Sequence, residues 1–546
     1  MRVLRTCMPL IGIALLTAIL SGCSDRPPAP VSNAPAAPTA VVVKPGGEYP
    51  IADQHVTLKV MVKQNPLVED FATNAFTKWY EHKTNVHIDW EVVPARTASE
   101  TLSHTLLSGE LPDIILDMNI SENQQMIYGS QGIFVPLGDY IERYGYETKK
   151  LFAEFPAIKE WISTPDGTIY ALPKVNQCYH CSMPQKMWIY KPWLDKLGLD
   201  VPTTTEELYL VLKAFKEEDP NGNGLADEIP LSGYAGLPLD MFIMNAFLLN
   251  NDRFYVKDGQ IDVSFNKPEW KEGLLFLHRL YNEKLLAPQS FTQDREQYMR
   301  MGEHPGTPIL GAGVSMHMGM FTQLYGPSGR WKDYVAVPPL LGPGGVRFAA
   351  SDPFGLRAGN FLITKSNPYP EISFRWADGL YRQEHSLRAL YGQEGIDWEY
   401  AKPGDIGIDG KPALWRRLLT YGQVGNVHWE QTGLFLRPER MFLGEKTDPK
   451  QPLEPILYNE TKKYEPYAPE IGQVPPPLYF QTDQVGEVAE LKKTINEYVD
   501  RMLARFVTGD VRIEIDWDSY LKTLDSLNLN RYLQIIQKAY DEKYAK

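Results

Sequence analysis

Cysteine is scarce in this chain, which has four among 546 residues, and several motifs of large enzyme classes are missing altogether. There is no Walker-type phosphate loop, no HExxH zinc motif and no G-x-S-x-G serine elbow. These absences argue against a P-loop ATPase, a zincin protease and an α/β-hydrolase. The sequence also shows no internal repeat of the period that solenoid proteins have.

The chain also has fewer basic than acidic residues. The chain has 55 lysines and arginines against 68 aspartates and glutamates, and its formal net charge is −13. A polyanion such as nucleic acid needs a basic surface, so we predict that nucleic acid is not a partner. Ordinary apolar content with many aromatic residues predicts a globular body large enough for more than one core.

Long apolar runs are absent except at the very start of the chain. Arg2 and Arg5 precede a short apolar stretch that ends in Leu20-Ser21-Gly22-Cys23. This pattern predicts a secretory signal peptide over residues 1–22 with a lipobox, after which Cys23 becomes the first residue and carries the lipid, palmitate included. The alternative is a signal anchor with an incidental cysteine. Removal of residues 1–22 takes away two arginines and no acids, which moves the net charge to −15.

The segment after Cys23 is rich in proline and alanine and poor in large apolar side chains. Such a composition cannot form a packed core, so we predict a flexible tether over residues 23–54 and a folded body over residues 55–546. The body would therefore lie at the extracytoplasmic face of the cell membrane, held there by its lipid anchor.

The two remaining cysteines are Cys178 and Cys181, which flank His180 in "NQCYHCSMP". In an oxidising compartment this spacing favours a small disulfide loop or two packed thiols. A redox-active motif would need a helix that begins at the first cysteine, and Pro184 argues against one. A zinc site would need a second pair of ligands, which the sequence does not offer.

Thr203 and Thr204 each stand three residues before a glutamate and predict a capped helix, and an oxygen-rich loop follows this helix in "TTTEELYLVLKAFKEEDPNGNGLADEIP". Oxygen ligands alternate with small residues, and glycines permit the tight bend that a hard cation requires. The predicted Ca²⁺ ligands are Asp219, Asn221, Asn223, the backbone carbonyl of Leu225, Asp227 and Glu228.

The register of this loop matches only the first half of an EF-hand. With Asp219 as position one, the twelfth position is Pro230 instead of the bidentate glutamate. No second helix is predicted after the loop, so we expect calcium to hold a helix end in place and not to act as a sensor. The alternative is a solvated turn rich in Asp, Asn and Gly without an ion.

Strands and helices alternate from "HVTLKVMVK" onwards, which predicts parallel α/β units. Parallel sheets bind ligands at the carboxyl ends of their strands. Asp117 and Asn119 follow the buried strand "LPDIILDMN" and are therefore candidate ligand-binding residues. They could equally be the first residues of an ordinary loop.

The lipobox, "LSGELPDIILDM", "WISTPDGTIYALP", "YGQEGIDWEY", "YLQIIQKAYDEKY" and above all residues 191–230 resemble family 1 extracellular solute-binding lipoproteins of ABC importers. Within that family the chain is similar to the subgroup of alginate and other oligosaccharide receptors, whose loop of the same pattern binds calcium. The resemblance covers most of the body. Tyr190 departs from a basic residue of the alginate receptors, so the resemblance does not name the sugar.

The resemblance implies an α/β fold with two lobes, a hinge of several crossings and a ligand cleft between the lobes. We place lobe 1 mainly in residues 55–180 and lobe 2 mainly in 185–300 and 365–460, with C-terminal helices in 487–546. It also implies a monomer that captures an oligosaccharide and delivers it to the transmembrane subunits of an ABC permease, without catalysis of its own.

Sugar rings have apolar faces and polar edges, so a sugar site needs aromatic platforms with polar groups around the rim. We choose Trp398 beside Asp397, Trp429 in "GNVHWEQT" and, more weakly, Trp188. Core packing is the alternative role of each tryptophan.

Two rival functions remain. An anchored glycoside hydrolase would need two carboxylates that face each other across a cleft, and a chain with 68 acidic residues offers such pairs by chance. A surface adhesion lipoprotein would instead show an exposed apolar patch and no cleft between lobes.

Overall fold

The computed structural model describes residues 41–545, except residues 238 and 421. The predicted signal peptide 1–22, the lipidation site Cys23 and the tether up to residue 40 lie outside this range. None of the described helices is both long enough and apolar enough to cross a membrane.

The folded body starts earlier than residue 55. Ile51 and Ala52 are fully buried, and the guanidinium of Arg375 donates hydrogen bonds to the carbonyls of Lys44 and Glu48. The tether prediction was therefore wrong for residues 42–54. The proline and glycine content of this stretch suggested a flexible chain, whereas its few apolar side chains are enough to fix it to the first lobe.

The described chain contains fourteen strands and eighteen α-helices. The strands are β1 Val56–Lys63, β2 Val86–Val93, β3 Ile114–Leu116, β4 Ala171–Asn176, β5 Lys186–Tyr190, β6 Ile229–Ser232, β7 Phe254–Lys257, β8 Gln260–Val263, β9 Leu310–Ser315, β10 Tyr334–Val337, β11 Leu356–Ile363, β12 Trp398–Tyr400, β13 Trp415–Arg417 and β14 Leu436–Arg437.

The helices that precede β11 in the chain are α1 Ala75–Thr84, α2 Ala98–Ser108, α3 Glu122–Ser130, α4 Gly138–Tyr144, α5 Glu147–Glu154, α6 Pro156–Ile162, α7 Lys191–Leu197, α8 Thr205–Glu217, α9 Asp240–Ile243, α10 Pro268–Asn282 and α11 Arg295–Gly302. Those after it are α12 Pro370–Leu380, α13 Gln383–Tyr391, α14 Glu439–Leu443, α15 Leu453–Thr461, α16 Val485–Thr508, α17 Ile513–Ser526 and α18 Leu529–Tyr544.

The first lobe is built on a six-stranded sheet with the order β14-β4-β11-β3-β1-β2. β1 runs parallel to β2 and β3, as the alternation of strands and helices predicts. β11 runs antiparallel to both of its neighbours. The short strand β3 is buried on both faces, which explains its unbroken apolar sequence.

The second lobe is built on a four-stranded sheet with the order β10-β5-β9-β6. Helix α8 packs on β6, and the apolar faces of α8 and α10 contribute to one large core cluster. The C-terminal helices α16, α17 and α18 join the same cluster, so these predicted helices pack on the second lobe.

The predicted lobe boundaries need one correction. Helices α12 and α13 and strand β14, which we expected in lobe 2 as part of 365–460, belong to the first lobe: α12 packs on β11 and α4, and β14 pairs with β4. Only the end of that segment, α15, reaches β10 of the second sheet. A sequence pattern identifies a helix, but it does not show which sheet buries its apolar face.

The chain crosses between the two sheets more than once. Residues 177–185 lead from β4 to β5, residues 338–355 lead from β10 to β11, and residues 438–452 lead from β14 to α15. These crossings form the boundary between the two lobes, and they place loop residues of both lobes around a common opening.

Candidate functional site

A cleft of about 860 Å³ opens between the lobes, and we call it the main cleft. Amide and charged residues make up half of its lining residues, with Tyr179 as the aromatic side chain among them. These residues are Lys63, Gln64, Asn65, Pro66, Ala95, Asp117, Asn119, Lys174, Asn176, Gln177, Cys178, Tyr179, Cys181, Ser182, Pro184, Met316, Asp352, Pro353, Gly355, Leu356, Arg357, Gln431, Thr432 and Glu439.

Asp117 sits on the floor of the main cleft at the point where β3 ends. Its Oδ1 accepts hydrogen bonds from the ammonium of Lys174 at 3.0 Å and from the amide of Asn360 at 2.7 Å. Lys174 lies on β4 and Asn360 on β11, so one carboxylate joins three adjacent strands. The backbone of Asp117 has a left-handed φ of 54°, which this network holds in place.

Asn119 also lines the main cleft and is exposed there. The structure thus brings together the two residues that we predicted from the end of β3. Lys63, the last residue of the parallel strand β1, and Gln64 and Asn65, which follow it, line the same cleft. The same strand-end rule points to them, although we applied it only to β3.

Cys178 and Cys181 are joined by a disulfide with a Cα–Cα distance of 5.2 Å. The bridge lies in the crossing 177–185 and forms part of the cleft wall together with Tyr179. Among the described residues, the cluster of three potential metal ligands within 4.8 Å of one another is Cys178, His180 and Cys181, and its two sulfurs are bonded to each other. The interpretation of this motif as a disulfide loop is confirmed, and its interpretation as a zinc site is not.

A smaller cavity of about 220 Å³, which we call the end chamber, adjoins the main cleft. The two cavities share Cys178, Cys181, Met316 and Gln431 in their walls. The remaining lining of the end chamber is His180, His317, Leu390, Tyr391, Arg417, Leu419, Thr420, Gly422, Gln423, His428, Glu430, Arg437, Phe442 and Glu454.

Residues 65–301 match the family model of bacterial extracellular solute-binding proteins. The fold agrees, because two α/β lobes with a cleft between them are what solved structures of such proteins show. Residues 65–301 are thus similar in sequence to that family, and the two-lobe fold is the one expected of it.

Among curated proteins, this chain is 29% identical over 515 residues to the fructooligosaccharide ABC transporter substrate-binding protein FusA of Streptococcus pneumoniae, covering 92% of this chain and 93% of FusA. It is 28% identical over 221 residues to lipoprotein LipO of Bacillus subtilis, covering 39% of this chain and 41% of LipO.

Two solved structures extend the comparison. FusA of S. pneumoniae in complex with kestose has a TM-score of 0.74 at 27% identity, covering 90% of this chain and 99% of FusA. A FusA structure with fructo-nystose is described as an EF-hand mutant. The alginate-binding protein AlgQ2 without calcium ion has a TM-score of 0.67 at 21% identity, covering 90% of this chain and 98% of AlgQ2, and it supports the fold alone.

The three tryptophans chosen as sugar platforms are buried in the structure. The indole N–H of Trp188 donates to the carbonyl of Ser315, that of Trp398 to the carbonyl of Gly392, and that of Trp429 to the hydroxyl of Thr77. All three are at most 1% exposed. The prediction was therefore wrong for these rings, because neither a strand position (Trp188) nor a sequence predicted as a loop (Trp398 and Trp429) shows which way a large apolar ring turns.

Asp397 is also a structural residue. Its side chain accepts a hydrogen bond from the backbone N–H of Gln393 at 2.7 Å and closes the turn before β12. It is 5% exposed and lines neither the main cleft nor the end chamber. The site prediction at Asp397 is corrected accordingly.

The predicted metal loop is preorganised by its own side chains. The carboxylate of Asp219 accepts hydrogen bonds from the backbone N–H groups of Gly222, Asn223 and Gly224. Gly222 and Gly224 adopt positive φ angles of 73° and 75°, the conformation that we expected of them. The preceding helix α8 is capped by Thr204, as predicted.

One side of this loop carries oxygen atoms that lack a counter-charge. Oε1 of Glu228 is buried without a hydrogen-bond partner. Burial raises the pKa of Glu228, and the nearby charges of Asp227 and Asp219 raise it further. The amides of Asn221 and Asn223 turn toward the carboxylate of Asp227. A hard cation would satisfy these oxygens, so the residues present fit calcium.

The structural role of Trp429 leads to a prediction about stability. We expect Trp429→Ala to lower the free energy of unfolding by about 3–5 kcal/mol, since the change leaves a cavity in the core of the first lobe. Urea unfolding followed by far-UV circular dichroism measures the effect. Leu107→Ala, at a side chain that is 78% exposed, serves as the control. Unchanged stability together with weaker ligand binding would restore the platform role.

Proposed function

We propose that this protein is the lipid-anchored substrate-binding component of an ABC importer and that it captures an oligosaccharide between its lobes. The observation that carries the proposal is the main cleft, whose wall combines amides with six charged residues, four of which form two ion pairs. Lys174 pairs with Asp117 at 3.0 Å and Arg357 lies 3.7 Å from Asp352. Such a wall can donate to and accept from hydroxyl groups while these four charges stay paired.

The residues that would contact the sugar come from both lobes. In the first lobe they are Asp117, Asn119 and Gln64, and in the second lobe Met316 follows β9. Tyr179 in the crossing offers a ring face against which a sugar could pack. Ligand contacts on both walls favour the closed arrangement of the lobes, which is the physical basis of capture.

The membrane and transport partners are part of this proposal. The lipobox before Cys23 supports anchoring at the extracytoplasmic face, and similarity to a protein named as a lipoprotein supports it too. We propose a monomer that delivers its ligand to the permease subunits, which would use ATP through a separate cytoplasmic partner. FusA is named as a substrate-binding protein, and this favours transport over a glycoside hydrolase.

The function is tested by calorimetry and thermal shift with purified body and a panel of neutral and acidic oligosaccharides, kestose included. We expect at least one oligosaccharide to bind and to raise the melting temperature. Gln64→Ala should weaken binding about five- to tenfold, the value of one neutral hydrogen bond, because Gln64 is exposed in the cleft.

Gln289→Ala is the matched control, since Gln289 is exposed and lies outside the cleft lining. Its affinity should equal that of the wild type. If no sugar of the panel binds, the function fails. If a chromogenic glycoside is hydrolysed and the hydrolysis is lost on mutation of one cleft carboxylate, the protein is a glycoside hydrolase and the proposed function is wrong.

We also propose that Ca²⁺ binds the loop of Asp219, Asn221, Asn223, Leu225, Asp227 and Glu228 as a structural ion. The buried oxygen of Glu228 supports this, as does the mention of an EF-hand in a related structure. The loop lies outside the lining of the main cleft, so the ion would stabilise the second lobe without touching the sugar.

Calcium removal should therefore lower stability and leave sugar affinity nearly unchanged. At a free concentration about 100 times the Kd, the ion contributes roughly 2.7 kcal/mol, and this contribution is lost in EGTA. Differential scanning calorimetry with calcium and with EGTA measures the shift. Asp227→Ala should abolish the difference, whereas Asp89→Ala, at an exposed strand position, should keep it. A chelator that abolished sugar binding at constant melting temperature would refute the structural role.

A further inference from the structure

The end chamber presents two histidines in the same tautomeric form. Nδ1 of His317 accepts a hydrogen bond from the backbone N–H of Gly319, and Nδ1 of His428 accepts one from the backbone N–H of Glu430, both at 3.1 Å. A neutral ring whose Nδ1 is an acceptor carries its proton on Nε2. Within residues 41–545 as described, neither Nε2 has a hydrogen-bond partner.

Both rings are held uncharged by their surroundings. Burial lowers the pKa of His317 to about 4 and lowers the pKa of His428 as well. The two side chains therefore offer neutral N–H donors to whatever enters the chamber.

The charges of the end chamber leave no positive excess. Arg417 is paired with Glu445 at 3.2 Å. Arg437 donates to the neutral oxygens of Asn176 and Tyr391, and the chamber wall also holds the acids Glu430 and Glu454. A sugar carboxylate would meet these acids without an excess of cations to balance it.

The main cleft shows the same balance. Its cations are Lys63, Lys174 and Arg357, and its anions are Asp117, Asp352 and Glu439.

The disulfide, Met316 and Gln431 lie between the two cavities and form a neck that is apolar except for one amide. The volume behind this neck suits a single sugar ring, whereas the main cleft has room for several.

We infer that the end chamber binds the terminal ring of a neutral oligosaccharide, whose hydroxyl oxygens accept hydrogen bonds from Nε2–H of His317 and His428. The following rings lie in the main cleft. This inference rests on the proposed function and adds to it the class of the ligand and the part of the site that recognises its end. All further rings of a longer oligosaccharide would then have to lie in the main cleft, and the size of that cleft alone would limit the length of the sugar.

The test is titration calorimetry of the complete folded body with kestose, with the longer nystose and with trigalacturonic acid. Wild-type protein should bind kestose at least tenfold more tightly than trigalacturonic acid. His317→Ala and His428→Ala should each weaken binding about tenfold, and by the same factor for kestose and nystose, because only one ring occupies the chamber.

Two further variants separate a binding role from a structural one. His428→Gln keeps an N–H donor of similar reach and should restore part of the affinity. His104→Ala removes an exposed histidine outside both cavities and should change nothing. Melting temperatures show whether His317→Ala, which also removes a cap from a short turn, still folds.

The outcomes are distinguishable. Tighter binding of trigalacturonic acid than of kestose would overturn the neutral ligand. Wild-type affinity in both chamber variants, together with weaker binding in Gln64→Ala, would leave the proposed function intact and overturn the role of the chamber. Absence of binding of all three sugars to the wild type would remove the proposed function and this inference with it.

Discussion

The ion pair between Asp117 and Lys174 is the interaction on which the site depends. Asp117 is only 7% exposed, and its Oδ1 binds the ammonium of Lys174 and the amide of Asn360. Loss of one partner would leave a buried charge without compensation, which costs several kcal/mol. Lys174 also donates to the carbonyl of Gln431, so the pair connects the sheet floor with a loop that lines both cavities. The cleft floor is thus rigid before any ligand arrives.

Local sequence rules predicted the parts of the structure that local chemistry determines. The cap of Thr204, the glycine bends of the metal loop and the position of Asp117 and Asn119 after a buried strand all depend on neighbours close in the chain. The resemblance to solute-binding proteins supplied the two-lobe architecture, which no periodicity in the sequence contains.

The remaining features could not be predicted because they depend on contacts between distant segments. The burial of Trp429 requires Thr77, which is 352 positions away, and residues 42–54 are fixed by Arg375 on α12. Helix α12 has an apolar face that either sheet could have buried. In the end chamber, each histidine becomes visible as a donor only when the backbone N–H on its Nδ1 is known.

The crossing 177–185 is both a connection between the two lobes and a part of the cleft wall. It joins the two sheets, and its disulfide and Tyr179 form the wall that a ligand would contact. Lys186 follows directly, and its buried ammonium donates to the carbonyls of His180 and Met183, while burial lowers its pKa to about 7. Because these bonds and the disulfide hold the crossing in a fixed local shape, relative motion of the lobes must be absorbed at its ends and in the other crossings. On the proposed function, a ligand held against this wall would keep its contacts there while the opposite side of the cleft moves, so that closure would add contacts without breaking those already made.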